Sequence, residues 1–160
     1  MSTGLVDAAL AAEAIALAEP TLKALLARPG VSGEQVLHIV VMDPCSMPGV
    51  EGEPRVLYEH SIGNPDEWGA DYAAFARDKA RLSWRLRCDS QHVQDELPHL
   101  LASGDTLLGG AIVHKGLVIG VSGAHPWYDV ACAGIVAELI LARAQQRVRD
   151  MRSKGALAVA

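Results

Sequence analysis

Three side chains in this sequence have the types and neighbours from which acid–base or anion-binding chemistry can be built: Lys79, His125 and Asp129. Trp68, Tyr72, Phe75, Lys79, Leu82 and Leu86 recur at steps of four and three. A helix over this stretch therefore carries the lysine on its aromatic and aliphatic face. Two outcomes are open to such a lysine. It can lie at the border of the face and snorkel its ammonium to water. Alternatively it sits inside a cleft, where it meets an anionic ligand or has its pKa lowered by desolvation.

His125 and Asp129 stand four apart in Ser122-Gly123-Ala124-His125-Pro126-Trp127-Tyr128-Asp129, which reads as the end of a strand and the start of a helix. Pro126 suits the first helical position, where its missing N–H costs nothing. If both side chains face one opening, they can act as acid and base beside the Ser122 and Gly123 backbone amides, which suit an anion. The plainer alternative is that Asp129 only stabilises the helix start and His125 is a surface turn residue. Trp127 and Tyr128 can line a pocket, form a subunit contact or simply pack. Gly109 and Gly110 either let a ligand approach the backbone or permit a bend before a strand. Cys45, in a loop without a basic neighbour, reads as an inert thiol before it reads as a nucleophile or heme thiolate. His38, within an apolar strand, reads as a core or interface residue, and His114 as a solvated one.

The elements that must position these groups follow from periodicity and punctuation. Leu5, Val6, Leu10, Ile15, Leu17, Leu22, Leu25 and Leu26 among alanines predict an amphipathic helix over 5–28 with a bend or restart at Pro20, ended by Arg28-Pro29-Gly30. Val36 to Met42 and Pro54 to Ile62 predict strands, joined by a turn-rich loop over 44–52. Asn64-Pro65-Asp66-Glu67 has the pattern of a helix start, with Asn64 as cap and Glu67 completing a capping box, and the helix is expected to run to about Cys88. A looser, partly helical segment with Pro98 follows to about Leu101. The β-branched runs on either side of Lys115-Gly116 then predict a tight hairpin. The final helix carries only Glu138 as a charge between Val130 and Ala142, an apolar surface wider than one small sheet covers, so a homo-oligomer is expected.

The 160 residues, 50% of them hydrophobic, suit a single domain over 1–160 with a sizeable core. A net charge of −5 with scattered basic residues argues against a nucleic-acid partner. No apolar run reaches membrane-spanning length free of charge, so no membrane partner is expected. Asp7, Glu13 and Glu19 break the order of a secretion signal, which leaves the cytoplasm as the expected location. Cys45, Cys88 and Cys132 form no C-x-x-C pair, and the six histidines form no H-x-x-x-H or H-E-x-x-H, so neither a disulfide framework nor a metal site is suggested. Two long helices bracketing four or five strands imply an α/β fold with an antiparallel sheet between helical layers.

The run from Gly109-Gly110 through Gly116 to Gly120-Val121-Ser122-Gly123, with Asp129 near the start of a Cys- and Ala-rich helix, resembles the GlcG/HbpS-like family, often labelled heme-binding or heme-degrading and related to the C-terminal domain of PduO. The likeness is strongest over 70–140. It implies a profilin-like fold of about five antiparallel strands flanked by helices, an oligomer and a pocket for a small ligand. Relatives carry a lysine near Lys79, an acidic residue after the Ser-Gly turn and the paired glycines, which implies ligand contacts for Lys79, Asp129, Gly109 and Gly110. The Pro44–Gly52 loop departs from the family's short turn, although Asp43 keeps the acidic position. The expected function is small-molecule binding, with a small anionic organic ligand or a heme or other tetrapyrrole held near a subunit boundary by Lys79, Ser122, Gly123, Asp129 and Trp127. A heme would require an axial ligand, for which His125, His114 and Cys45 are available. The alternative is a cofactor-independent lyase, isomerase or condensing enzyme, with Lys79 as base or Schiff-base former and Asp129 or His125 exchanging protons.

Overall fold

The computed structural model describes residues 4–50 and 53–160, so Met1 to Thr3 and the last two residues of the 44–52 loop lie outside the described residues. Helix α1 (Ala8–Leu26) begins where the Asp7 carboxylate accepts the Leu10 N–H at 2.8 Å. Its Leu10, Ala14, Ile15, Ala18, Leu22 and Leu26 form a buried stripe at helical spacing. Fully burying each of the larger ones contributes about 1.5–3 kcal/mol. The expected bend at Pro20 does not end the helix. Pro20 is exposed, as is Ala16, whose carbonyl the proline leaves without its helical donor, so the missing bond falls on the outer side of the helix, which continues to Leu26.

Strands β1 (Leu37–Met42) and β2 (Val56–Ile62) pair antiparallel, with His38 opposite Ser61 and Val40 opposite Glu59. The helix expected from Asn64 starts later. Asn64 caps only a single 3-10 turn, Pro65–Glu67, and α2 (Tyr72–Leu86) begins after Asp71, whose carboxylate accepts the Ala74 N–H at 3.0 Å. The reason is local: Glu34 takes the Gly69 N–H at 2.9 Å and the Tyr72 hydroxyl at 3.1 Å, holding the intervening segment out of helix. The looser segment resolves into α3 (Ser90–Glu96) and a 3-10 turn at Pro98–Leu100. Strands β3 (Ala111–His114) and β4 (Leu117–Ser122) form the expected hairpin, with Lys115 and Gly116 at φ of 49° and 85°. Helix α4 (Pro126–Ser153) closes the fold.

The result is an α/β architecture in which a four-stranded antiparallel sheet of order β2-β1-β4-β3 is flanked by four helices among the described residues. About five strands were expected, and four are found there. β1 is buried along its whole length and splits the core by alternation. Leu37, Ile39 and Val41 join Ile119, Val121 and the buried faces of α1 and α4, while Val40 and Met42 join Val118 and the Ala76, Ala80 and Trp84 side of α2. Gly120 permits that second contact: a Cβ there would lie 2.4 Å from the Ala76 carbonyl oxygen and 2.8 Å from the Ala80 Cβ.

Candidate functional site

Lys79 does not snorkel. Its place on α2, one turn beyond the small Ala76 and beside Ala80, brings the ammonium to the end of β4, and the residue is 3% exposed. The Nζ donates to the Val121 carbonyl at 2.9 Å, to Ser122 Oγ at 3.3 Å and to Asp129 Oδ2 at 3.0 Å. All three ammonium hydrogens thus have acceptors.

Asp129 reaches this point from the first turn of α4 and is 1% exposed. Its other oxygen, Oδ1, accepts the Ala124 N–H at 2.9 Å. The turn after β4, expected to offer amides to an anion, is therefore supplied with one by the chain itself. Burial pushes the Asp129 carboxyl up from 3.8 to about 6, against the opposing pull of Lys79 and the Ala124 hydrogen bond. Burial likewise moves the Lys79 ammonium below its ordinary value, with Asp129 opposing. Both charges are costly where they stand, and each is sustained by the other.

Gly110 gives the pair its room. A Cβ there would lie 2.8 Å from Lys79 Nζ, 3.0 Å from Asp129 Cβ and 2.7 Å from the Val121 carbonyl oxygen, and its φ of 129° excludes most side chains. Its neighbour Gly109 leaves space for Gln91, whose Oε1 would lie 2.2 Å from a Cβ at that position. Gln91 also lines a hollow of about 490 Å³ between α3 and the start of α4, together with Asp89, His92, Pro126, Trp127 and Val130. Gly110 thus abuts the buried ion pair, and Gly109 abuts Gln91, a side chain that lines the open hollow.

Of the expected site residues, Lys79, Ser122, Asp129 and Gly110 converge within one hydrogen-bonded or contact group, and Gly123 lies at its edge. Gly123 sits at φ 138° with its carbonyl accepting Ser32 Oγ at 2.7 Å, and a Cβ there would lie 2.2 Å from the Val36 carbonyl oxygen. His125 and Asp129 do not face one opening. The His125 backbone carbonyl accepts the Asp129 N–H, which turns the carboxylate inward, while the exposed imidazole stacks on Trp127 with ring centres 5.2 Å apart. Trp127 is 65% exposed and contributes one wall of the hollow. His114 instead meets Glu138 at 2.5 Å, and Cys45 lies in the exposed loop after β1.

Two groups of residues escaped the sequence reading. Gln91 and His92 line the hollow, but they fall in a stretch whose helical character was legible only as partial. His38, Ser61, Glu59 and Arg77 form a second polar group, and its signal was the polar run Glu59-His60-Ser61 within β2. Among the described residues, no group of three or more His, Cys, Asp or Glu is arranged to hold a metal ion, and no helix is long and apolar enough to cross a membrane. No family model matches the chain, and no curated protein or solved structure matches it.

Proposed function

We propose that this chain is a small-molecule binding protein of the GlcG/HbpS-like kind, with a profilin-like arrangement of its sheet and helices, whose ligand enters the hollow between α3 and α4. The observation that carries this reading is the buried lysine at the strand-to-helix crossover, compensated by Asp129, with Gly110 against the pair and the adjacent Gly109 against Gln91 of the hollow. A small carboxylate or comparable anion that reaches Lys79 takes over the role now filled by Asp129. The displaced carboxyl, with its raised pKa, accepts a proton more readily than an ordinary aspartate. Ligand binding is thereby coupled to proton uptake. The exposed Trp127, with His125 stacked on it, supplies a flat apolar wall for the organic part of the ligand. The family resemblance further supports a homo-oligomer with this cleft near a subunit boundary and a cytoplasmic setting.

The test is a thermal-shift and calorimetric screen of small organic acids against the whole chain. Asp129→Asn, which presents the neutral form permanently, strengthens binding of a hit, and Lys79→Met abolishes it. Unchanged binding in a folded Lys79→Met removes the proposal.

The tetrapyrrole form uses the same hollow. His92 lines it, so one imidazole donor is present, and Trp127 offers a stacking face; these residues fit a singly ligated heme. Heme, when bound, supplies an iron coordination position and an intense Soret absorption. Hemin titration gives a sharp, stoichiometric Soret band that His92→Ala loses, whereas a broad, nonsaturating signal rejects this form.

A second reading, a cofactor-independent lyase, isomerase or condensing enzyme, is favoured by one observation: burial shifts the Lys79 and Asp129 pKa values toward each other, the condition for proton exchange with a substrate. Borohydride trapping of a Lys79 adduct with carbonyl compounds tests its Schiff-base form.

A further inference from the structure

On the α2 side of the sheet, Ser61 of β2 and His38 of β1 stand directly opposite each other, and Ser122 of the Lys79 group is the partner of His38 on β4. Ser61 Oγ lies 2.9 Å from His38 Nδ1. The other ring nitrogen, Nε2, is buried without a hydrogen-bond partner among the described residues and lies 3.9 Å from Glu59 Oε2. Glu59 is itself held by Arg77, whose Nε and Nη2 donate to its two oxygens at 2.6 and 2.9 Å. The carboxylate beside Nε2 favours the tautomer with the proton there. Nδ1 is then the bare nitrogen that receives the Ser61 O–H. His38 is 5% exposed, and burial holds its pKa below the ordinary value, so the ring is a neutral base.

Two positions further along the same chains, Val36 and Gly63 line a hollow of about 460 Å³ whose other wall is Trp68. The Trp68 ring meets His38 edge-on at 6.0 Å, and its indole N–H is buried without a partner among the described residues. An unpaired buried donor is costly. This donor sits on a ring in edge contact with the imidazole of the serine–imidazole pair, and it is free to donate to an oxyanion that develops nearby. Glu34 and Glu67 line the same hollow, so an anionic acid is repelled and an uncharged or cationic compound is admitted.

The geometry points to Ser61 and His38 as a nucleophile and base for acyl transfer from small uncharged or cationic carboxylic esters. The Ser61 proton passes to His38 Nδ1 as the Oγ–carbonyl carbon bond forms. The carbon–alkoxide bond then breaks, and the leaving alkoxide takes that proton. Water attacks the acyl-serine, giving its proton to the same nitrogen, and the carboxylic acid leaves as Ser61 is restored. Glu59 and Arg77 are positioning residues, and Trp68 is the oxyanion donor.

An alkyl fluorophosphonate tests the pair on the full chain, since the Oγ–phosphorus bond forms as fluoride leaves with the serine proton. The expected result is one adduct per chain by intact mass, mapped to Ser61 and absent in Ser61→Ala. In His38→Gln the adduct forms at least about tenfold more slowly. Trp68→Phe keeps the ring and loses the N–H, so it slows hydrolysis of 4-nitrophenyl acetate several-fold even if the His38 variant does not fold. A folded wild-type chain that stays unlabelled, an adduct on another residue, or undiminished labelling in folded His38→Gln overturns the assignment.

Discussion

Replacing Lys79 alone with methionine leaves the Asp129 carboxylate buried with only the Ala124 amide to hold it. Breaking a buried pair in this way is expected to cost about 3–5 kcal/mol, whereas replacing both members with apolar residues of similar size costs far less. Urea unfolding of Lys79→Met beside Lys79→Met with Asp129→Leu measures the difference, and equal losses would show that the two groups are not coupled. The same carboxyl sets a pH dependence. Its pKa rises from 3.8 to about 6 on folding, so the folded chain holds that proton more tightly than the unfolded one. The stabilising contribution is complete at pH below the unfolded value and is lost as pH climbs through the folded one. Relative to Asp129→Asn, the wild type therefore loses about 3 kcal/mol of stability between about pH 4 and pH 7, at roughly 1.4 kcal/mol per unit. His38, common to both proteins, cancels in that comparison. The Lys79 shift is downward, through burial opposed by Asp129, so its own contribution has the opposite sign and is recovered as pH rises toward the ordinary lysine value. Spacing placed Lys79 on an apolar face but left its partner open, because the meeting with Asp129 joins residues from separate elements.

At the scale of elements, the seat of α2 on β4 is set by Gly120. An alanine there drives its Cβ into the Ala76 carbonyl, and the helix must lift from the sheet. Overpacking of this kind costs about 1–3 kcal/mol. Gly120→Ala is thus expected to melt several degrees below wild type, at roughly 2–4 °C per kcal/mol for a chain of this size. Because Lys79 rides on the same helix, the variant also weakens its reach to Asp129. The hairpin and the start of α4 were legible because their signals are local: Lys115-Gly116 tolerates positive φ, and Pro126 suits a first helical turn. The start of α2 was not. Asn64-Pro65 carries a sound cap pattern, but the contacts that stop the turn come from Glu34, some thirty residues earlier, and no window around Asn64 contains it.

At the scale of the whole molecule, much of the apolar surface of α4 that suggested a partner is covered from within. Cys132, Ala133, Val136, Ala137 and Ile140 are buried, and Ile135 and Leu139 pack at the margin of the core shared with α1 and the sheet. A homo-oligomer must then bury other surface, and the exposed Leu107, Leu108 and Trp127 are available. Light scattering at micromolar concentration is expected to give a multiple of the chain mass, and a monomeric mass defeats that expectation. The strand order carries a last consequence, for how the chain finds its shape. β3 and β4 are joined by two residues and β1 and β2 by thirteen, so each pair closes within its own stretch of sequence. The ladder between β1 and β4 joins residues roughly eighty apart in sequence. That central seam is where the two halves must search for each other, and it sets the pace of folding. Trimming the Ile39 and Val121 contact should therefore slow refolding, whereas damage to the outer strands should chiefly hasten unfolding.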